Sequence, residues 1–166
     1  GIKWPTFINS SVARHKTLIP IKAMEQLHAA TAPQNAATFR DLCDSIDSTG
    51  IYLYSTFTKD EIDDAKSNNK SLSFECRQFP RASGYPEDPA TGIAAGALAA
   101  SLHKRQIIYS NETGGDTMYE ILQGTSMGRP SRIGVKIADY KLEEINPSLA
   151  ISYKGSVVFD SIHYTS

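Results

Sequence analysis

The feature that most constrains the fold of this chain is an alanine-rich run at residues 93–102, IAAGALAASL, which has no polar side chain before Ser101. At helical spacing this run is apolar on every side, and a helix of that kind is surrounded by protein. It is also too short and too rich in alanine to cross a bilayer. The sequence therefore predicts a buried central helix whose small side chains let neighbouring elements approach closely.

The segments around this helix alternate with the period of β-strands. Two amphipathic helical stretches come early, after Pro20 and after Pro33, and 60–70 (DEIDDAKSNNK) is interpreted as a solvated polar connection. The turn residues NETGGD, and Lys154 with Gly155, predict two hairpins. The alternating segments are 51–57, 71–79, 117–123, 132–140, 149–153 and 156–164. We expect a single α+β domain over 1–166, with an antiparallel, barrel-like sheet wrapped around the central apolar helix.

Composition and charge exclude several classes of partner. The formal net charge is -1 and the isoelectric point is about 6.5, which does not favour binding to nucleic acid or to an anionic membrane. Cys43 and Cys76 form no metal or redox motif, and the histidines lack the spacing of metal ligands. No signal peptide is visible, so a reduced, cytoplasmic protein is expected. Because the chain begins at Gly1 rather than at methionine, it can be part of a longer polypeptide.

A second constraint is the segment GYPEDPATGIA (84–94), which leads directly into the central helix. Either Asp88 caps the helix, with the following proline in the first turn, or Thr91 caps it, followed by Gly92. In both cases the free N–H groups near Gly92 and Ile93 form a site suited to a carboxylate or a phosphate. The alternative is that Asp88 only caps a core helix and that nothing binds there. Spacing alone leaves both interpretations open.

Three stretches carry a family resemblance. Residues 75–102 (ECRQFPRASGYPEDPATGIAAGALAASL) closely resemble the signature of the phenazine-biosynthesis PhzF-like family of isomerases and epimerase homologues. Residues 123–133 (QGTSMGRPSRI) are similar to a second element of that family, and 15–22 (HKTLIPIK) to the strand that opens one lobe. The resemblance implies the diaminopimelate-epimerase fold, in which two similar lobes, each a β-barrel around a central helix, enclose an active site. This chain resembles the second, C-terminal lobe.

The resemblance also implies a function. Family members isomerise or epimerise small carboxylated metabolites by proton transfer, without a cofactor or a metal. Asp88 corresponds to the catalytic aspartate, and Thr91 and Gly92 to the helix start that faces the substrate. Ile93 stands where the family often has a serine, and it keeps the backbone N–H.

The remaining acid/base residues of the family, a glutamate and a glycine–histidine pair, belong to the first lobe. A complementary N-terminal lobe or a second chain, including a second copy of this one, would complete the site. The alternative is a non-catalytic binding or assembly module derived from the same lobe.

A hydrolase motif competes with this interpretation. Residues 124–128 (GTSMG) fit the nucleophile elbow G-x-S-x-G with Ser126 as the nucleophile. An elbow must lead into a helix, whereas Pro130 and the alternating RIGVKI indicate a strand. The sequence therefore predicts a loop between two strands. Arg77, before the cleft motif, is expected either to pair with an anion or to lie at the surface.

Overall fold

The computed structural model describes residues 2–11, 13–70, 72–105, 117–137, 151–152 and 157–164. Helices and strands share this part of the chain, which confirms the α+β class. The helices are α1 (Met24–Ala29), α2 (Ala36–Ser45), α3 (Lys59–Ser67) and α4 (Gly92–Lys104). The strands are β1 (Ile8–Ser11), β2 (His15–Ile21), β3 (Gly50–Ser55), β4 (Ser73–Pro80), β5 (Thr117–Gln123), β6 (Ser131–Ile137), β7 (Ile151–Ser152) and β8 (Val157–Tyr164).

The strands form one sheet in the order β7-β1-β2-β3-β4-β5-β6-β8, and this sheet is mixed. The pairs β1–β7, β2–β3 and β4–β5 are parallel, while the other four described pairs are antiparallel. The expectation of an antiparallel sheet was therefore wrong. The parallel pairs are explained by the connections between the strands, because two neighbouring parallel strands must be joined by a crossover segment. Helices α1 and α2 connect β2 to β3, and α4 lies in the connection from β4 to β5.

One further expectation fails. Most of the polar run 60–70 is not a loop but belongs to α3, which Thr58 and Glu61 begin with a capping box. The hairpin turn predicted at Lys154 and Gly155 lies outside the described residues. The turn predicted at 111–116 lies outside the described residues.

Helix α4 is buried as predicted. Every residue from Ala94 to Leu102 is buried, and most of them join the tyrosines of β3 and the aliphatic residues of β5 and β6 in one core cluster. The helix contacts β1, β2, β5 and β6, and Ser10 donates a buried hydrogen bond to the carbonyl oxygen of Ala97 at 2.9 Å. Among the described helices, none has the length and apolar character needed to span a membrane.

The opposite face of the sheet carries a smaller core. Leu27 of α1 packs there with Ile51 and Leu53 of β3 and with Phe79 of β4. Side chains alternate between the faces of a strand, so Tyr52 and Tyr54 point to α4 while their neighbours point to α1. The sheet therefore separates α4 from α1 and places the start of α4 beside the ends of β4 and β5.

Candidate functional site

The start of α4 brings the four predicted site residues together. Thr91 occupies the N-cap position, but its hydroxyl group does not cap the helix and instead donates to Oδ2 of Asp88 at 2.6 Å. The other carboxylate oxygen accepts the N–H of Ala90 at 3.2 Å. Asp88, Thr91 and Gly92 are half-buried, and Ile93 is 37% exposed. We call these four residues, Asp88, Thr91, Gly92 and Ile93, the helix-start site.

Free backbone N–H donors lie at this site, in the first turn of α4. The first N–H groups of an α-helix have no partner within the helix. Accordingly, the first intrahelical bond of α4 runs from the N–H of Ala95 to the carbonyl oxygen of Thr91, at 3.0 Å. Within the described part of the chain, no acceptor pairs with the N–H groups of Gly92, Ile93 and Ala94. These donors lie at the positive end of the helix dipole, so the arrangement is suited to an anion.

Gln123, at the end of β5, holds the helix-start site together. Its Nε2 donates to the carbonyl oxygen of Asp88 at 2.7 Å and to Oγ1 of Thr91 at 3.0 Å. Its Oε1 accepts the N–H of Thr91 at 3.2 Å and the hydroxyl group of Tyr52 at 3.0 Å. The side chain is completely buried. One carboxamide thus fixes the segment that carries Asp88 to the cap of α4.

The chemistry of these partners defines the orientation of the carboxamide. A backbone N–H on one side requires the oxygen, and a backbone carbonyl on the other requires the nitrogen. Because Oγ1 of Thr91 accepts from Gln123, its proton is directed to Asp88. Burial, with a further contribution from Cys76, raises the pKa of Tyr52 well above its usual range. Tyr52 therefore stays a neutral donor to Gln123.

The turn after β5 supports the same segment. Ser131 donates its hydroxyl hydrogen bond to the carbonyl oxygen of Pro89 at 2.8 Å. Gly124 has a φ of 84°, and a Cβ there would lie 2.9 Å from that oxygen and would overlap the carbonyl oxygen of Arg129. Only glycine allows this approach. The QG pair and the serine of the second family-like element thus pack directly against the EDPATG segment.

Arg77 does not lie at the surface, and the anion that it pairs with is a carboxylate of the chain itself. It is 6% exposed and forms two hydrogen bonds of 2.8 Å with the carboxylate of Glu87. Its Nη1 donates to the carbonyl oxygens of Leu27 (3.0 Å), His28 (3.2 Å) and Ala30 at the end of α1. A buried guanidinium requires such partners. Arg77 therefore anchors the segment before α4 to α1, and each of its three side-chain nitrogens has an acceptor within the chain.

The hydrolase motif lacks its required context, and a loop between two strands is confirmed. Ser126 lies in a short 3-10 turn, Thr125–Met127, between the antiparallel strands β5 and β6. No helix follows it before β6 begins at Ser131. Its hydroxyl group is hydrogen-bonded to Nδ1 of His28 at 2.9 Å at an exposed position.

Sequence reasoning missed Tyr52, Glu87 and Gln123 as parts of the site. Gln123 and Glu87 lie inside the two family-like motifs, so a signal was present, but a motif does not say which side chains are hydrogen-bonded. Tyr52 gave no signal beyond its strand pattern. Among the described residues, no group of three or more His, Cys, Asp or Glu side chains is placed to hold a metal ion.

Comparisons with known proteins agree with the resemblance. The sequence model of the family described as phenazine biosynthesis-like protein matches residues 14–161. Over 58 residues the chain is 50% identical to trans-2,3-dihydro-3-hydroxyanthranilate isomerase of Pseudomonas aeruginosa. This match covers 34% of this chain and 19% of that protein. The fold resembles the crystal structure of a Bacillus anthracis phenazine biosynthesis protein of the PhzF family, with a TM-score of 0.57 and 21% identity.

That structural match covers 77% of this chain and 38% of the Bacillus anthracis protein. The chain thus matches only a minor part of the length of either relative. The family model, in contrast, matches nearly the whole of this chain. Since that match spans residues 14–161 of 166, the chain belongs to the phenazine biosynthesis-like, or PhzF, family.

Proposed function

We propose that this chain forms part of an isomerase active site, which transfers a proton on a small carboxylated metabolite without a cofactor. One observation carries the proposal: the carboxylate of Asp88 lies beside free N–H donors at the start of a buried helix. Membership of the family, and the partial match to an isomerase, favour this chemistry over simple binding.

The geometry supports a division of labour. The N–H groups of Gly92 and Ile93 would bind the carboxylate of the substrate, and Asp88 would give or take the proton or position the reacting carbon. Removing a proton next to a carboxylate builds negative charge on its oxygens. Fixed donors at a helix start stabilise that charge more in the transition state than in the ground state.

We further propose that the sheet wraps around α4 as the barrel of a C-terminal lobe. Strands β1 and β6 both contact α4, although five strand spacings in a flat sheet would separate them by about 24 Å. Strands β7 and β8 end the strand order, yet only four residues join Ser152 to Val157. Such a connection spans at most about 18 Å, whereas a flat sheet would need about 34 Å.

An isomerase of this kind needs a second acid/base group across the cleft. We propose that a complementary N-terminal lobe or a second copy of the chain supplies it, and that closure of the two parts excludes water. Asp88 is the acid/base residue that this chain contributes to the helix-start site.

The test follows proton exchange. The chain, together with the complementary lobe or second copy that completes the site, is incubated in D₂O with trans-2,3-dihydro-3-hydroxyanthranilate, the compound in the name of the Pseudomonas aeruginosa relative, and products are followed by proton NMR. We expect isomerisation with deuterium incorporation. The rate of both should fall at least about 100-fold in Asp88→Asn. Asp63→Asn, at an exposed position on α3, is the matched control and should behave as the unsubstituted chain.

The second candidate is a binding or assembly module. It is favoured by the presence of a single carboxylate, that of Asp88, in the helix-start site. Binding of a carboxylate ligand without any exchange would support it. Exchange that persists in Asp88→Asn would contradict the catalytic role assigned to Asp88.

A further inference from the structure

A cleft of about 360 Å³ lies at the end of the sheet where β2 and β3 begin and β4 ends. Its volume falls in the lower part of the range of small-ligand sites. Every residue that lines it is polar or charged. Three of these residues are basic, Arg14, His15 and Arg81, and two are acidic, Asp44 and Asp47. This sheet-end cleft, as we call it, is therefore suited to a charged ligand rather than to an apolar one.

Backbone hydrogen bonds fix the floor of the sheet-end cleft. The N–H of Thr49 donates to the carbonyl oxygen of His15 at 2.9 Å, and the N–H of Arg81 donates to the carbonyl oxygen of Thr49 at 3.1 Å. These bonds continue the sheet by one residue before the start of β3 and one residue beyond the end of β4. The residues that carry two of the basic side chains are thus held side by side.

The sheet-end cleft is separate from the helix-start site. His15 lies on the same side of β2 as Thr17, because side chains alternate along a strand. Thr17 is the partner of Ile51, which belongs to the smaller core with Leu27 of α1. His15 therefore lies on the face of the sheet that carries α1, whereas the helix-start site belongs to α4 on the other face.

Both acidic side chains of the cleft are already paired. Asp44, on α2, accepts hydrogen bonds from Nε of Arg81 and from its Nη2, the latter at 2.8 Å. Asp47 accepts from Nδ1 of His15 at 3.0 Å, and its side chain is 89% exposed, so water screens its charge. Asp47 has a left-handed φ of 51°, and such unfavourable conformations of residues other than glycine cluster at functional sites.

The basic side chains keep donors for a ligand. Within the described part of the chain, neither the guanidinium group of Arg14 nor Nη1 of Arg81 has a partner. Because a carboxylate only accepts, Nδ1 of His15 carries the proton that Asp47 receives, and Nε2 is left for a ligand. Nε2 accepts a hydrogen bond when the ring is neutral and donates one when the ring is protonated.

The charges around the cleft favour an anion. Lys16 is 7% exposed, and its Nζ donates to the carbonyl oxygen of Thr49 at 3.4 Å. Burial lowers the pKa of Lys16, and the positive charge of Arg14 lowers it further, while smaller contributions from Asp88 and Cys43 raise it. Arg14 and Lys16 therefore repel each other, and an anion bound beside Arg14 would relieve that repulsion.

We propose that the sheet-end cleft binds a phosphate group. Basic side chains that approach from the start of β2 and from the end of β4 can each contact a different oxygen atom. Phosphate presents at least three terminal oxygens and a carboxylate only two, and guanidinium groups pair well with phosphate. A phosphate group also suits Nε2 of His15, because its second pKa is about 6 and it can give or take a proton near neutral pH. This inference does not depend on the proposed function.

A titration of the full chain with inorganic phosphate at pH 7, followed by heteronuclear NMR, tests the site. The amide signals of Ser48 and Thr49 report on the sheet-end cleft, and those of Gly92 and Ile93 report on the helix-start site. We expect phosphate to shift the signals of Ser48 and Thr49, with half-saturation on the order of 1 mM. Acetate should require at least about tenfold higher concentrations, because it forms fewer charge-assisted hydrogen bonds.

Arg14→Gln should weaken the response of Ser48 and Thr49 at least about tenfold, because it removes a charged donor. The side chain of Arg14 is exposed and has no partner in the described structure, so the variant should fold as the unsubstituted chain does. Any response of Gly92 should persist in it. Arg132→Gln removes the same charge from an exposed ion pair on β6, and this matched control should keep the affinity of the cleft.

Phenyl phosphate identifies the source of the phosphate group. Tighter binding than that of inorganic phosphate indicates a phosphorylated metabolite, and equal or weaker binding indicates the free ion; both results support the site. The inference is overturned if the signals of Ser48 and Thr49 show no saturable shift, if acetate binds as tightly as phosphate, or if Arg14→Gln leaves the affinity unchanged. Shifts confined to Gly92 and Ile93 would also overturn it, while leaving the proposed function intact.

Discussion

At the scale of single residues, one glutamine determines how the site is assembled. The carboxamide of Gln123 connects a tyrosine from β3, the carbonyl group of Asp88 and both the N–H and the hydroxyl group of Thr91. Because Gln123 donates to the hydroxyl oxygen of Thr91, the hydroxyl proton of Thr91 is directed to the carboxylate of Asp88. The position of the acid therefore depends on a residue that would not itself touch the substrate.

The change from Gln123 to glutamate tests this arrangement. The substitution replaces Nε2 with an oxygen 2.7 Å from the carbonyl oxygen of Asp88, so two acceptors would face each other in a buried site. We expect the free energy of unfolding to fall by about 3 kcal/mol, as for other buried networks left unpaired. Urea denaturation at pH 7 measures it.

Gln26→Glu is the control for that change, because Gln26 is exposed on α1. Its free energy of unfolding should stay within about 0.5 kcal/mol of that of the unsubstituted chain. An equally small effect of Gln123→Glu would mean that the hydrogen bonds of Gln123 do not hold the site.

At the scale of elements, α4 was predictable and the sheet only partly so. A helix without polar residues is expected in the protein interior, so the burial of α4 followed from composition alone. Strand direction did not follow, because a period of two is the same in parallel and antiparallel pairs. Helix α3 was missed because its start signal, Thr58 with Glu61, lies at the edge of a run that is otherwise polar. The hydrogen bonds of Gln123 join residues far apart in sequence, which no local pattern reveals.

The close packing around α4 gives a prediction at this scale. Ala97 is fully buried, and its carbonyl oxygen accepts the hydroxyl group of Ser10. Ala97→Leu adds three carbon atoms where neighbours already touch, so the free energy of unfolding should fall by about 2 kcal/mol. Denaturant titration measures the change. Ala37→Leu, on the exposed side of α2, should change it by less than about 0.5 kcal/mol, and equal effects at both positions would contradict close packing.

At the scale of the whole molecule, α4 links the two halves of the sheet. It contacts β1 and β2 near one end of the strand order and β5 and β6 near the other. Strands that share one buried helix lose the same packing partner when that helix is disturbed. The halves should therefore unfold together, although several strands separate them.

Native-state hydrogen exchange of Ala97→Leu tests this cooperation. Amide groups of β2 and β6 report on the two halves, and we expect their opening free energies to fall by the same amount, about 2 kcal/mol. Thr58→Ala is the comparison, because it removes only the capping box of α3 and should lower protection in that helix alone, by about 1 kcal/mol. If Ala97→Leu lowers protection in β2 but leaves β6 unchanged, the halves are independent, and a sheet wrapped around α4 cannot be the unit that folds.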